Sequence, residues 1–313
     1  MKHLTRQFLS GTSVLMLFLT FAICYSQTKG GNKLQVPQTH KVDFAVGRSP
    51  EAIIFDGTNI WVANSLADTV MKLSVTDGTN LGTFEVGSRP SAIAYDGQNL
   101  WVANRFSNNV MKLRASDGAL LDTIKVGKKP EALLFDGASI WVANGEDGTV
   151  TKLRPNDGAN CTFIVGQRPM AMAFDGSSIW VLNNNSGDVT KLRVDDGTNL
   201  GTFSVGRSPT GIAFDGSNIW VTNFYSKSVI RLNNDGSVRD RVAVEDGPSS
   251  VSFFGGHIVV TNYGSRSVSL IEPQRAKVIR TLAVGRSPGG VAFDGANIWV
   301  ANAGSNSVSR VAL

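Results

Sequence analysis

The sequence predicts an all-β protein, a seven-bladed β-propeller built from four-stranded antiparallel blades. Three observations predict it. One unit recurs seven times, opening on Val46, Val86, Val126, Val165, Val205, Val244 and Val284, so its spacing is always 39 or 40 residues. All six Trp occupy one position of that unit: Trp61, Trp101, Trp141, Trp180, Trp220 and Trp299. The last copy stops after its third strand, and residues 41–46, ahead of the first copy, read as the missing fourth. A unit of about 40 residues made of four short strands is a propeller blade.

Each copy opens on Val-Gly-x-x-Pro, and the Pro (Pro50, Pro90, Pro130, Pro169, Pro209, Pro248, Pro288) fixes the chain as it enters an innermost strand, residues 51–55 in the first copy. That strand ends on Asp-Gly, a hairpin turn in which Gly takes positive φ at no steric cost and Asp tolerates it. Ile-Trp-Val-Ala-Asn follows as the second strand, residues 59–64, with its Trp expected in the core between blades. The invariant Asn (Asn64, Asn104, Asn144, Asn183, Asn223, Asn262, Asn302) is expected to cap its own loop through nearby backbone; the alternative is a polar ring at the channel mouth. Ser-Val-x-Lys-Leu makes a third strand, residues 70–75, and a second Asp-Gly turn leads to the outer strand, residues 81–86. Two Asp-Gly hairpins per unit exclude a parallel β-helix, whose coils are also shorter. The sixth copy is the most divergent, with Val259 at the Trp position.

The N-terminus is read as an address. Lys2 and Arg6 precede an apolar run from Val14 to Ile23, broken only by Thr20 and too short to span a bilayer. Residues 1–26 are expected to be a signal peptide cut after Ser26, residues 27–40 a linker, and residues 41–313 the propeller. Cys24 is an alternative lipoprotein cysteine, although Ile23 suits a lipobox poorly. The mature chain is expected to be secreted or periplasmic and monomeric, with no membrane span. Its net charge falls from +5 because two basic residues leave with the signal. Cys161 then stands alone and, in place of Leu81 and Leu200 of other copies, is expected to be a small core residue.

The run Val284-Gly285-Arg286-Ser287-Pro288, with Ile298-Trp299-Val300-Ala301-Asn302 and residues 305–309, resembles the bacterial YVTN-type propeller repeat. Ile219-Trp220-Val221-Thr222-Asn223 is nearest its namesake tetrapeptide, and the resemblance spans residues 41–313. It implies an exported bacterial propeller without assigning an activity. The Asp-Gly-x-x-Ile-Trp blade also resembles the virginiamycin B lyase propellers, which implies a magnesium-dependent enzyme with His and Glu at a central site. Here the matching loop positions carry Asn, Ser and Gly, so that residue set does not carry over.

Up-and-down connectivity sorts the loops onto two faces. The Val-Gly-x-x-Pro loops and the loops after the Trp strands share one, called here the mouth face; the Asp-Gly turns share the other, the turn face. The mouth face is basic, with Arg48, Arg89, Lys128, Lys129, Arg168, Arg207 and Arg286 in all copies but the sixth, which reads Glu245-Asp246-Gly247. Arg105, Phe106, Phe224, Tyr225 and Tyr263 add cations and aromatics there. The turn face carries Asp56, Asp96, Asp136, Asp175, Asp215 and Asp294, so the two faces are expected to be oppositely charged. Cations interleaved with aromatics suit an anionic partner: an acidic polysaccharide, a nucleic acid or an acidic protein surface. The only His of the propeller, His257, has no catalytic companion, and neither a phosphate loop nor a calcium loop occurs. No cofactor, metal or catalytic residue is expected. The leading reading is an exported binding module, and the alternative is a metal-dependent lyase or hydrolase at the channel mouth.

Overall fold

In a computed structural model describing residues 41–155 and 160–313, the chain forms seven four-stranded antiparallel sheets. The segments expected to be signal peptide and linker, with the expected cleavage site and Cys24, lie outside the described residues. The first blade runs from Pro50–Phe55 at the channel through Asn59–Asn64 and Thr69–Ser74 to Asn80–Glu85 at the rim. The innermost strands touch in cyclic order, and Pro288–Phe293 of the seventh blade returns to Pro50–Phe55. Closure is by strand exchange: Lys41–Ala45 pairs with Ser307–Ala312, Lys41 opposite Val311 and Ala45 opposite Ser307.

Successive residues of a strand point to opposite faces. Ile60 and Val62 therefore pack back onto Trp299 and Val308 of the seventh blade, while Trp61 and Ala63 pack forward onto Leu100 and Val102 of the second. Burial on both faces is why the second strand reads as an unbroken apolar run. Seven such clusters, one at each blade junction, form the core of the described residues.

The turn Asp does more than shape its turn. Asp56 accepts the backbone N–H groups of Thr58 and Asn59 at 2.8 and 2.6 Å, and Trp61 Nε1 at 2.7 Å. Asp96, Asp136, Asp175, Asp215 and Asp294 hold their Trp indoles in the same way. A cation of the third strand, paired with the Trp in register, covers each ring: Lys72 over Trp61 at 5.1 Å, then Lys112, Lys152, Lys191, Arg231 and Arg310. Lys72 Nζ also donates to the carbonyls of Ala115 and Ser116 in the next blade, at 2.9 and 3.0 Å. The sixth blade lacks all three parts together. Phe254, Val259 and Leu270 stand in their places, and Phe254 stacks on Phe293 of the seventh blade at 5.8 Å.

Three expectations are corrected. The turn face is not a one-sign acidic surface, because a Lys or Arg of the same blade accompanies each Trp-bonded Asp, as in the Lys191–Asp175 pair at 3.6 Å. The invariant Asn residues are fully buried and do not line the channel. Nor do most cap backbone: Asn64 Nδ2 donates to Thr69 Oγ1 and Asn144 Nδ2 to Thr149 and Thr151, across the hairpin that follows. Cys161 is exposed, because it lies on Asn160–Ile164, a rim strand whose alternate side chains meet solvent; Leu81 and Leu200 are exposed as well. Native protein should therefore label at Cys161 with a maleimide without denaturant; labelling that waits for unfolding would contradict the placement.

Candidate ligand-binding face and channel mouth

The mouth face is organised by latches from loop side chains to backbone N–H groups, some between neighbouring blades and some within one blade. Asp68 of the first blade accepts the N–H of Arg89 in the second at 2.8 Å, Asn108 accepts that of Lys129 at 2.9 Å, and Asn306 accepts that of Ser49 at 2.9 Å. Asp147 takes the N–H of Lys128 at 2.7 Å, and Ser186, Ser265 and Ser305 hold Gln167, Asp246 and Arg286. Arg89, Lys129 and Arg168, each just before its Pro, sit at φ of 57, 50 and 55 degrees, in the left-handed region; the sixth blade uses Gly247 there.

The latches decide the fate of the basic residues. Asp68 and Asp147 accept backbone N–H groups, and among the described residues neither lies within ion-pair distance of a rim cation. Arg48 rests on the carbonyl of Leu66 at 2.8 Å, Arg89 covers Phe106 at 5.4 Å, and Arg168 bonds Asn184 at 3.2 Å. Lys128, Arg207 and Arg286 are exposed. Among the described residues none of these six makes an ion pair, whereas Lys129 pairs with Glu146 at 2.9 Å and, by that hydrogen bond and its charge, holds the Glu146 carboxyl below its ordinary range. Phe224, Tyr225 and Tyr263 meet as one aromatic cluster, Tyr225 edge-on to Phe224 at 5.3 Å and Tyr263 at 6.4 Å from it.

Arg105 departs from this surface set. Its Nε and Nη2 bind Glu131 Oε2 at 2.9 and 2.8 Å, and Nη2 reaches Glu51 Oε2 at 3.2 Å. The three residues come from the first three blades and line the mouth of the central channel, a cavity of about 640 Å³. Burial pushes the Glu131 carboxyl above its ordinary range; Arg105 opposes the shift by charge and hydrogen bonding, and neighbouring Glu51 adds to it. Sequence reasoning missed both glutamates. A signal existed: the residue after the invariant Pro reads Glu51, Ser91, Glu131, Met170, Thr210, Ser249 and Gly289, and only two of the seven are charged. Among the described residues, no group of three His, Cys, Asp or Glu is placed to hold a metal ion, and His257 bonds only the carbonyl of Gly255, at 2.9 Å.

By its fold the chain is a seven-bladed β-propeller with a polar channel mouth inside a basic rim. No family model matches it, and no curated protein matches it in sequence. Among solved structures it is similar to a streptogramin B lyase, with a TM-score of 0.75 and 16% identity over 87% of this chain and 97% of that one. Similarity is as high to the virginiamycin B lyase of Staphylococcus aureus, at TM-score 0.76 and 14% identity over 88% of this chain and 100% of that one. Kuenenia stuttgartiensis hydrazine synthase gives TM-score 0.76 and 17% identity over 89% of this chain and 99% of that one. Proteins named for different reactions match equally well, so the likeness carries the fold and no chemistry.

Proposed function

We propose that this chain is an exported binding module whose basic mouth face holds an anionic polymer. The YVTN-like repeats and the signal-like N-terminus support export. The observation that carries the binding reading is the set of six rim cations that, among the described residues, form no close ion pair, on loops where Asp68 and Asp147 accept backbone N–H groups. Acidic polysaccharide, nucleic acid and acidic protein all fit that charge. Single-stranded DNA and polygalacturonate are suitable probes. Replacing Arg48, Arg89, Arg168 and Arg207 together by Ala should abolish retention on both at moderate salt. On DNA it should also flatten the log–log salt dependence by roughly 3 units, since each neutralised phosphate contributes about 0.7. Unchanged binding, or no binding by the wild type at low salt, would refute this reading.

A second reading, a metal-dependent lyase or hydrolase at the channel mouth, draws on the Glu51–Arg105–Glu131 cluster and on the lyase-like blades. A thermal shift with magnesium, lost in Glu131→Gln, would favour it.

A further inference from the structure

The seven copies are an internal reference, and side chains that break their pattern without serving the architecture mark function. At the residue after the invariant Pro, the architecture has a use for a hydroxyl. Ser91 donates to the carbonyl of Pro130 at 2.7 Å, Thr210 to Pro248 at 2.8 Å and Ser249 to Pro288 at 2.9 Å, each stapling one blade to the next. Glu51 and Glu131 occupy that position in their blades and make no such staple. Both instead converge on Arg105, the one cation at its own repeat position, where the other copies read Ser65, Gly145, Asn184, Phe224, Tyr263 and Ala303.

The cluster forms the polar upper wall of a funnel. The inner strands add small residues to the lining of the same cavity, such as Ala52, Ala92, Gly211 and Gly290, and the apolar Ile53, Leu133, Ile212 and Val291 that follow them along the strands. Tyr263, 47% exposed, stands at the rim and leans on Phe224. A cavity of about 640 Å³ lies within the range of small-ligand pockets. At the mouth Arg105 is already engaged by two glutamates, so a polyanion finds its free cations on the rim. A cation is poorly served too, since Arg105 already holds the Oε2 atom of each carboxylate and the rim around them is basic.

From this geometry we infer that the channel mouth binds a neutral saccharide unit. Sugar hydroxyls both donate and accept, and so suit a planar array of carboxylate oxygens and guanidinium N–H groups. The sugar ring's apolar face suits Tyr263. The inference goes beyond the polyanion reading and stands on different residues. Combined with it, the polymer is an acidic polysaccharide whose charges lie on the rim while one sugar enters the funnel.

The test is calorimetric titration of the mature chain with neutral β-1,4-linked tetrasaccharides of glucose and of N-acetylglucosamine. Wild type and the four-Arg rim variant should bind one of them alike, while Tyr263→Ala and Glu51→Ala, both near the surface, should each weaken binding by about tenfold or more. Thermal melts confirm that each variant is folded. No binding up to about 10 mM would overturn the inference. So would equal affinity in both site variants, or binding of spermidine in place of the sugars. Failure of the polyanion reading looks different: the rim variant then keeps its polyanion binding, whatever the tetrasaccharides do.

Discussion

Deleting Lys41–Ala45 should cost the protein on the order of 5 kcal/mol and remove its cooperative thermal transition near physiological temperature, a large share of the stability of any domain. The strand is short, but it completes the seventh blade along its whole length, from Lys41 opposite Val311 to Ala45 opposite Ser307. Its Phe44 stacks on Trp299 at 5.5 Å and lies under the guanidinium of Arg310, also at 5.4 Å from the indole. Without it the third strand of that blade is a bare edge, and the junction between the seventh and first blades loses part of its cover. A circular permutant is the control. Because Lys41 lies beside Val311, a short turn can join Leu313 to Lys41, and the chain can be opened at Asp117-Gly118. That protein keeps every strand and should melt close to the wild type. A deletion variant as stable as the wild type, measured by calorimetry, would show that closure contributes little.

The second large effect concerns the Asp–Trp–cation unit. Trp141→Ala should destabilise by about 3–5 kcal/mol, the usual cost of emptying a buried Trp site. Asp136→Ala should cost about 1–3 kcal/mol, because it leaves the indole N–H, 2.7 Å from the carboxylate, without its acceptor. The sixth blade shows how the unit is replaced: Phe254, Val259 and Leu270 substitute for all three members together, and Phe254 finds Phe293. The third blade offers the same partner, Phe174, one blade on. The triple variant Asp136→Phe, Trp141→Val, Lys152→Leu should therefore cost at least about 1 kcal/mol less than its three single changes summed, the coupling expected for side chains in contact. Additive costs in urea unfolding would show that the members act independently.

The same unit sets the acid response. Burial alone would raise Asp96, Asp175 and Asp294, but the indole and backbone hydrogen bonds outweigh it and hold all three carboxyls below the ordinary aspartate range. Their contribution is fully present above the unfolded value and drains only as pH falls through the still lower folded one. Glu131 works the other way. Its raised value makes the ionised form unfavourable, so stability declines as pH rises from the ordinary glutamate range through the folded value.

How much was legible depended on whether the information repeated. Blade number, strand bounds, the buried Trp and the closing strand were readable because each rests on local turn chemistry or on seven copies of one pattern. The cation over each Trp was present in the sequence as Lys72, Lys112 and their equivalents, yet spacing along two strands does not reveal a pairing register. Cys161 was misplaced for a related reason: which strand lies at the rim decides solvent exposure, and an apolar position in a rim strand looks like one in the core.

By itself the sequence determined the fold and its closure, because hairpins, Pro-fixed inner strands and a two-sided apolar second strand are local or periodic features. Only the tertiary structure decided which charges remain on the surface. Asp68 turns to a backbone N–H of the following blade and Asp147 to one in the entry loop of its own blade, while Arg105 is drawn inward by two glutamates from the blades on either side. Glu51, Arg105 and Glu131 are far apart along the chain and break no local rule. They become one site only when three blades are set side by side around a channel.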